Sequence, residues 1–262
     1  MEQQQTAEIT QAKYSDGAWQ TLPAELPQEQ MMTLYINGLE LVSLLCTPEK
    51  LNALVIGFLR SEGFITNLKE VQMARVCIDD SLFEVRLNKE VKMPERRTIT
   101  SGCGGGSAFD TTNLPKLESN WSVTPVQITH AMKHLQVPSA DGNIRRGLHV
   151  SALSDGEKLI SRAEDIGRHN TLDKIWGECM LTNTPTADRL LLTTGRISSE
   201  MVTKAARMGT PIVASINSAT QKAVQLGEAA GITVIGYVRG QQFSVYSHPE
   251  RIVGFSASTK ED

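Results

Sequence analysis

The chain has 262 residues, of which 40% are hydrophobic and 21% charged, and its formal net charge at pH 7 is −3. This composition is typical of a globular protein with one large or two moderate domains. The lack of a basic excess argues against nucleic acid as a partner. The polar N-terminus lacks the apolar segment of a secretory signal, and no stretch reaches the roughly 18 apolar residues that span a bilayer. We therefore expect a cytoplasmic protein that does not associate with membranes.

The first half of the chain is predicted to contain an arm, a small domain and a connector. Residues 1–28 are polar and interrupted by two prolines, which is typical of a loosely attached arm. Residues 29–93 show an α+β pattern, with a hairpin signal at Asn37-Gly38, a helix that Thr47 is expected to cap, and a second pair of strands. Residues 94–123 contain a glycine run and little periodicity, which indicates a connector.

Residues 124–262 are predicted to form an α/β domain. A helix is expected to begin at Thr124-Pro125, and a hairpin is expected to turn at Asp155-Gly156. The rest alternates between helical and strand patterns, which favours parallel strands joined by right-handed crossovers. In chain order we predict a helix over 170–181, a strand over 189–194, a helix over 199–208, a strand over 211–216, a helix over 219–230, a strand over 232–238 and an antiparallel strand over 243–247.

Of the four cysteines, Cys103 has the most unusual surroundings, Ser101-Gly102-Cys103-Gly104-Gly105-Gly106. The other three have apolar neighbours typical of core positions, and no CxxC pair suggests a zinc ribbon or a dithiol. Glycines let the backbone approach a ligand and expose N–H groups that favour a thiolate. A thiolate there can attack a sulfane sulfur and hold it as a persulfide. A flexible linker that happens to contain a cysteine is the alternative, and the local residues do not decide between them.

Residues 164–170, Glu-Asp-Ile-Gly-Arg-His-Asn, concentrate polar side chains between a predicted strand and a predicted helix. Asp165 is placed to cap the helix or to orient a partner group. Arg168 and His169 are candidates for holding a phosphate near the helix N-terminus. The alternative is a helix N-terminus stabilised by a local ion pair, with no ligand.

Three polar or glycine-rich loops follow the predicted parallel strands, over residues 195–199, 217–220 and 237–242. Ligands of open α/β sheets bind beyond the carboxyl ends of the strands, and helix N-termini there suit phosphate. Two arginines, amides and hydroxyls in these loops, with Tyr237 available to stack on a ring, favour a phosphorylated heteroaromatic ligand. The alternative is that these loops have no binding role, since every α/β protein has loops at this edge.

These motifs, taken in order, resemble the formate dehydrogenase accessory sulfurtransferase family, FdhD. The similarity extends from about residue 30 to residue 255, and its most specific part is the segment 164–170 followed by Asp173-Lys174. The other matching segments are Thr47-Pro48-Glu49, residues 57–63, Ser101-Gly102-Cys103-Gly104, Arg196-Ile197-Ser198, Glu200-Met201-Val202, Lys204 and residues 245–249.

The resemblance implies a task and a set of site residues. Such proteins accept sulfur from a cysteine desulfurase and pass it to the molybdenum or tungsten bis-molybdopterin guanine dinucleotide cofactor, their bound substrate, before formate dehydrogenase works. It implies that Cys103 carries the persulfide. The expected partners are a cysteine desulfurase, formate dehydrogenase and a second copy of the chain in a homodimer. With the phosphate candidates above, the expected cofactor-binding residues are Arg168, His169, Arg196, Ser198, Tyr237, Val238, Arg239, Gly240, Gln241 and Gln242.

The resemblance also implies that the C-terminal part is a three-layer domain similar to cytidine deaminase. Zinc deaminases need H-x-E and P-C-x-x-C motifs. Here His149-Val150-Ser151 lacks the glutamate and no P-C-x-x-C occurs, so we expect neither zinc nor deamination. The remaining alternatives are a non-catalytic chaperone for the cofactor and a zinc hydrolase.

Two positions depart from the family pattern. Gly106 stands where many members have a second cysteine, so a relay between two cysteines is not available. The stretch that begins at Tyr237 ends in Gln241-Gln242 instead of an arginine. A persulfide mechanism with one cysteine remains compatible with the sequence. We expect that this stretch binds a phosphate more weakly, or that other residues bind it instead.

Overall fold

The structure of the protein is a computed structural model that describes residues 9–24, 26–91, 114–137 and 147–256. Cys103 and its glycine run lie outside the described residues. The strands within these ranges are β1 (Thr10–Ser15), β2 (Ala18–Pro23), β3 (Gln30–Ile36), β4 (Leu39–Cys46), β5 (Val71–Cys77), β6 (Leu82–Leu87), β7 (His149–Ser154), β8 (Leu159–Asp165), β9 (Leu190–Thr193), β10 (Ile212–Ser215), β11 (Thr233–Arg239) and β12 (Gln242–Ser247). The α-helices are α1 (Leu51–Ser61), α2 (Pro125–Leu135), α3 (Arg168–Leu181), α4 (Ser199–Met208) and α5 (Gln221–Ala230).

The larger sheet has the strand order β12-β11-β10-β9-β7-β8. Strands β9, β10 and β11 are parallel, as the alternating pattern predicts, while β7 runs antiparallel to β9 and β12 antiparallel to β11. One face of the sheet packs against α3, α4 and α5, and the other face packs against α2. The mixed α/β architecture is therefore confirmed, with helices on both sides of a mixed sheet whose three parallel strands are β9, β10 and β11. Its likeness to cytidine deaminase stays a prediction.

The smaller sheet has the order β4-β3-β6-β5 and packs its apolar face against α1. Its first hairpin turns at Asn37 and Gly38, which both have positive φ, as the Asn-Gly signal predicts. The elements expected for residues 29–93 are therefore present. The boundary between the two predicted domains remains a prediction, because α1 also packs closely against α3 of the larger unit.

Three local predictions differ from the structure. The segment expected to be a loosely attached arm contains a hairpin, β1–β2, which turns at Asp16-Gly17. Thr47 is not a helix cap, because α1 begins at Leu51 after Lys50 in the left-handed region. Helix α3 begins at Arg168, two residues before the predicted start at 170.

Helices α1 and α3 cross at two glycines, with no side chain between their backbones. A Cβ atom built on Gly57 would overlap the carbonyl oxygen of Asp173 and lie 2.8 Å from the backbone nitrogen of Gly177. A Cβ atom built on Gly177 would overlap the carbonyl oxygen of Ala53 and lie 2.7 Å from the backbone nitrogen of Gly57. Because the obstacles are backbone atoms, no rotamer change makes room, and glycine is required at both positions.

We predict that Gly57→Ala destabilises the protein by about 3 kcal/mol or more, since overpacking a close contact forces the backbones apart. Urea unfolding followed by circular dichroism measures the change. The matched control is Gly17→Ala, where no atom lies within 4 Å of the new Cβ and only left-handed strain of about 1–2 kcal/mol opposes it. Equal losses of unfolding free energy in the two variants would contradict the close backbone contact between α1 and α3.

Candidate functional site at the edge of the larger sheet

The carboxyl ends of β9, β10 and β11 meet at one edge, and the loops that follow them are hydrogen-bonded to one another. The Asn217 side-chain amide donates to the Thr194 carbonyl at 2.8 Å, and the Tyr237 backbone N–H donates to the Asn217 carbonyl at 3.0 Å. Arg239 Nε donates to the Ile216 carbonyl at 3.4 Å. The three loops that the sequence predicts at this edge are therefore held together as one surface.

Strands β7 and β8 bring further polar groups to the same edge. Because β7 is antiparallel to β9, its first residue, His149, lies beside the end of β9. A Cβ atom on Gly195 would come within 3.0 Å of Arg168 Cβ and 3.5 Å of His149 Nδ1, so the missing side chain leaves room for both. Burial and the positive charge of Arg168 lower the pKa of His149. We did not predict His149 at this edge, although the antiparallel hairpin before α3 was the available signal.

The segment 164–170 divides into a structural part and a part at the edge. Asp165 is fully buried, and its carboxylate accepts hydrogen bonds from the backbone N–H groups of Thr47 at 3.1 Å and Gly167 at 2.8 Å. It also accepts from the Asn170 amide at 2.8 Å and lies 2.6 Å from Lys174 Nζ. The local ion pair that was the alternative to a ligand site is therefore present. Asp165 is one of its partners, and Asn170 supports it with a hydrogen bond to the same carboxylate.

Lys174 completes this structural part. Its ammonium group is fully buried and donates to the carbonyl oxygens of Thr47 at 3.0 Å and Glu164 at 3.1 Å, in addition to its ion pair with Asp165. All three of its donors are therefore used, and the group ties the chain before α1 to the larger sheet.

Lys174→Met should destabilise the protein by about 3–5 kcal/mol, because it leaves the Asp165 carboxylate buried without its cation. The matched control is Lys50→Met, which removes a 2.7 Å ion pair with Glu178 whose side chains are 41% and 31% exposed. Pairs of that kind contribute no more than about 1 kcal/mol. Urea unfolding of both variants measures the difference, and similar losses would contradict the assigned role of Lys174.

His169 lies behind the edge rather than on it. It is 4% exposed, its Nε2 atom lies 3.1 Å from Ser198 Oγ, and its Nδ1 atom lies 3.3 Å from Glu200 Oε2. Burial, followed by the positive charges of Lys204 and Arg168, lowers the pKa of His169 to about 2. A neutral, enclosed imidazole is poorly placed to hold a phosphate directly, so any effect of His169 on a ligand acts through Ser198.

A groove of about 740 Å³ lies beside the edge, between α2 and the end of β11. Arg239 and Gln241 line one wall, and His130 and Lys133 of α2 line the other. Val238, which we expected to contact a cofactor, also borders the groove but is 1% exposed and belongs to the core beneath it. We missed the contribution of α2, since only the packing of that helix on the sheet reveals it.

Tyr237 has an unusual backbone conformation at this edge. Its φ is +55°, and the pairing of β11 with β12 shifts register between Gly236 and Arg239. Such irregularities re-aim a side chain out of the regular alternation of a strand. Tyr237 is 46% exposed, and Arg196, Arg239 and Gln242 are exposed as well. Most of the predicted binding residues are thus at least partly exposed.

The described thiols differ from the reactive centre that we expect at Cys103. Burial raises the pKa of Cys46 to about 12 and that of Cys179 to about 11, so neither forms a thiolate readily near neutral pH. Within the residues that the structure describes, no group of three histidine, cysteine, aspartate or glutamate side chains is arranged to hold a metal ion. No α-helix in the described ranges is long and apolar enough to cross a membrane.

A mixed sheet with helices on both faces, whose three central parallel strands end at one edge, defines an α/β protein. In open α/β sheets this edge is where ligands commonly bind. The chain belongs to the FdhD/NarQ family, whose model matches residues 27–253. It is 40% identical over 250 residues to the sulfur carrier protein FdhD of Bacillus subtilis (strain 168), an alignment that covers 92% of this chain and 95% of the relative. It is 38% identical over 251 residues to the protein of the same name from Staphylococcus aureus (strain JH9), covering 92% and 94% of the two chains.

A solved structure supports the same assignment. The crystal structure of a protein from Desulfotalea psychrophila, assigned as a formate dehydrogenase accessory protein, superposes with a TM-score of 0.77. The two sequences are 25% identical, and the superposition covers 94% of this chain and 99% of the other. The family resemblance expected from the motifs is therefore confirmed.

Proposed function

We propose that this protein is a sulfur carrier that acts in the maturation of formate dehydrogenase. Its relatives carry that name, and a solved neighbour is assigned as a formate dehydrogenase accessory protein. The observation that carries the proposal is the joining of three strand-end loops into one edge. These loops carry Arg196, Tyr237 and Arg239, and Arg168 lies beside Gly195 in the first of them. Sulfur reaches a cofactor only if the carrier also binds that cofactor, and this edge supplies the binding surface.

The proposed substrate at this edge is the bis-molybdopterin guanine dinucleotide cofactor of molybdenum or tungsten. Its phosphates suit guanidinium groups, which form charge-assisted and often bidentate hydrogen bonds with phosphate. Its aromatic rings suit the exposed face of Tyr237. The amino end of α4, capped by Ser198, adds backbone N–H groups that favour an anion. The residues present therefore fit a phosphorylated, heteroaromatic substrate.

The proposed sulfur step takes place on Cys103. The Cys103 thiolate attacks the terminal sulfur of a persulfide on a cysteine desulfurase, the S–S bond of that persulfide breaks, and the desulfurase thiolate leaves. Cys103 then holds the sulfur as a persulfide. Because Gly106 replaces the second cysteine of many family members, the sulfur rests on Cys103 until it is passed to the cofactor.

A non-catalytic chaperone that binds the same cofactor and delivers it is the alternative function. The arginine edge favours cofactor binding in both cases, so only the chemistry of Cys103 separates them. The proposed partners are a cysteine desulfurase, formate dehydrogenase and a second copy of this chain, and the proposed location is the cytoplasm.

We expect the Cys103 peptide to gain the mass of one sulfur atom when the protein is incubated with a cysteine desulfurase and cysteine. Mass spectrometry of the alkylated protein measures this gain. The buried Cys46 and Cys179 peptides serve as internal controls and should stay unmodified, because burial disfavours their thiolates. An unmodified Cys103 in a protein that still binds guanosine diphosphate would favour the chaperone.

Arg239→Ala should weaken the binding of guanosine diphosphate by about tenfold or more, since a hydrogen bond to a charged group contributes roughly 1.5–3 kcal/mol. Isothermal titration calorimetry measures the affinity. Arg75→Ala, an exposed arginine on β5 of the smaller sheet, removes the same charge far from the edge and should leave the affinity unchanged. A parallel loss in both variants would mean that only overall charge matters.

A further inference from the structure

Two exposed histidines on α2 bring their ring nitrogens together at the rim of the groove. His130 and His134 are four positions apart, so they lie on the same face of the helix, one turn from each other. Their Nε2 atoms are 3.1 Å apart. The ring planes are inclined by 73°, so the rings are not stacked and the nitrogen atoms are the groups that meet. His130 also lines the groove that Arg239 borders from the other side.

The separation of the two nitrogens suits two ligands of one metal ion. Imidazole nitrogen binds zinc at about 2.0–2.1 Å, so an ion bound to both histidines at such distances would see them at an angle of roughly 100°. That angle lies between the values of about 90° and about 109° that octahedral and tetrahedral coordination require. Without a metal, one neutral ring donates its Nε2 hydrogen to the other. The metal takes the place of that hydrogen, which moves to Nδ1 of the same ring through exchange with water.

The helix that carries the pair is held in place by the rest of the fold. A reciprocal capping box between Thr124 and Gln127 fixes its first turn. Ile128, Met132 and Leu135, from the same turns as the histidines, are buried against the larger sheet. Binding therefore has to order only two side chains on a fixed backbone, which lowers its entropic cost.

The charges nearby act on a cation in opposite directions. His134 is in the last turn of α2, where the helix dipole favours positive charge. Lys133 carries an ammonium group between the two histidines in the sequence and repels a second cation. No acidic side chain is among the described residues that line the groove, whereas Lys133 and Arg239 both do. A metal at the rim adds to this positive charge, so the groove favours an anion as its occupant.

We propose that His130 and His134 together bind one divalent transition-metal ion, and that this ion accepts a phosphate oxygen of a ligand in the groove. In the part of the chain that the structure describes, no third histidine, cysteine or acidic side chain completes a metal site. Two protein ligands leave coordination positions open for water or a ligand oxygen, unlike the three-ligand zinc sites of deaminases. The second half of the proposal rests on the proposed function, because it concerns the same anionic substrate.

Calorimetric titration of the full-length protein with Ni²⁺ tests the metal site, at about pH 7.5, where free imidazole is mostly neutral. His130→Ala and His134→Ala should each lower the affinity by about tenfold or more, since even groups behind a metal ligand contribute that much. The double variant should bind little more weakly than either single variant, because chelation needs both rings. His248→Asn, which removes a histidine after β12 and suits its left-handed backbone, should keep the wild-type affinity.

The choice of metal gives a second signature of imidazole ligands. Co²⁺ should bind more weakly than Ni²⁺, and excess Mg²⁺ should not displace Ni²⁺, because Mg²⁺ prefers oxygen ligands. Both histidines are exposed, so their replacement leaves the core intact. Ni²⁺ binding that survives in both single variants would place the ion elsewhere on the protein. That result, or no binding to the wild type, would overturn the metal site.

Guanosine diphosphate, titrated with and without Ni²⁺, tests whether the ion contacts a ligand phosphate. Saturating Ni²⁺ should tighten nucleotide binding to the wild type by about tenfold, a typical coupling between two sites. The double variant His130→Ala/His134→Ala is the control, because it experiences the same association of nucleotide and metal in solution. It should show only the part of the change that this association causes.

The two titrations separate this inference from the proposed function. If guanosine diphosphate does not bind the wild type at all, the proposed nucleotide site and the phosphate contact both fail, and the Ni²⁺ titration alone decides the metal site. If the nucleotide binds and Ni²⁺ has the same effect on the wild type and the double variant, the proposed nucleotide site stands and the phosphate contact fails.

Discussion

The buried carboxylate of Asp165 is the interaction on which most of the architecture depends. Backbone N–H groups from two distant parts of the chain, an asparagine amide and a lysine ammonium group all point at its two oxygen atoms. A charge without solvent is tolerated only when every lone pair is used, and here all of the donors come from fixed structure. The carboxylate therefore fixes where β8 ends, where α3 begins and how the segment before α1 approaches them.

This arrangement explains how one short segment can serve both the fold and the proposed ligand binding. The side chains of Asp165 and Asn170 are buried and hold the segment in place through their hydrogen bonds. The side chain of Arg168, which lies between them in the sequence, is at the edge beside Gly195. A ligand-binding arginine is effective only if its backbone is held still, because binding then orders fewer groups. The buried ion pair thus supplies the rigidity that the proposed phosphate-binding edge would require.

Features set by neighbouring residues could be predicted from the sequence, whereas features set by distant contacts could not. The Asn37-Gly38 turn and the Thr124 capping box are local, and the alternation of helices and strands fixes the parallel order of β9 to β11. Thr47 looked like a helix cap, yet its N–H donates to Asp165, 118 positions further along the chain. The need for glycine at positions 57 and 177 could not be predicted from neighbouring residues, because only the crossing of the two helices shows which atoms they contact.

The glycine crossing has a consequence for how the protein moves. Packed side chains can usually change rotamer, which allows two helices to slide past each other, but here the backbones themselves are in contact. The smaller sheet and the larger sheet must therefore travel as one body wherever α1 meets α3. The two sheets therefore cannot separate at this crossing to admit a bulky molecule between them. In the proposed function, the substrate would have to be received on the exposed edge of the larger sheet.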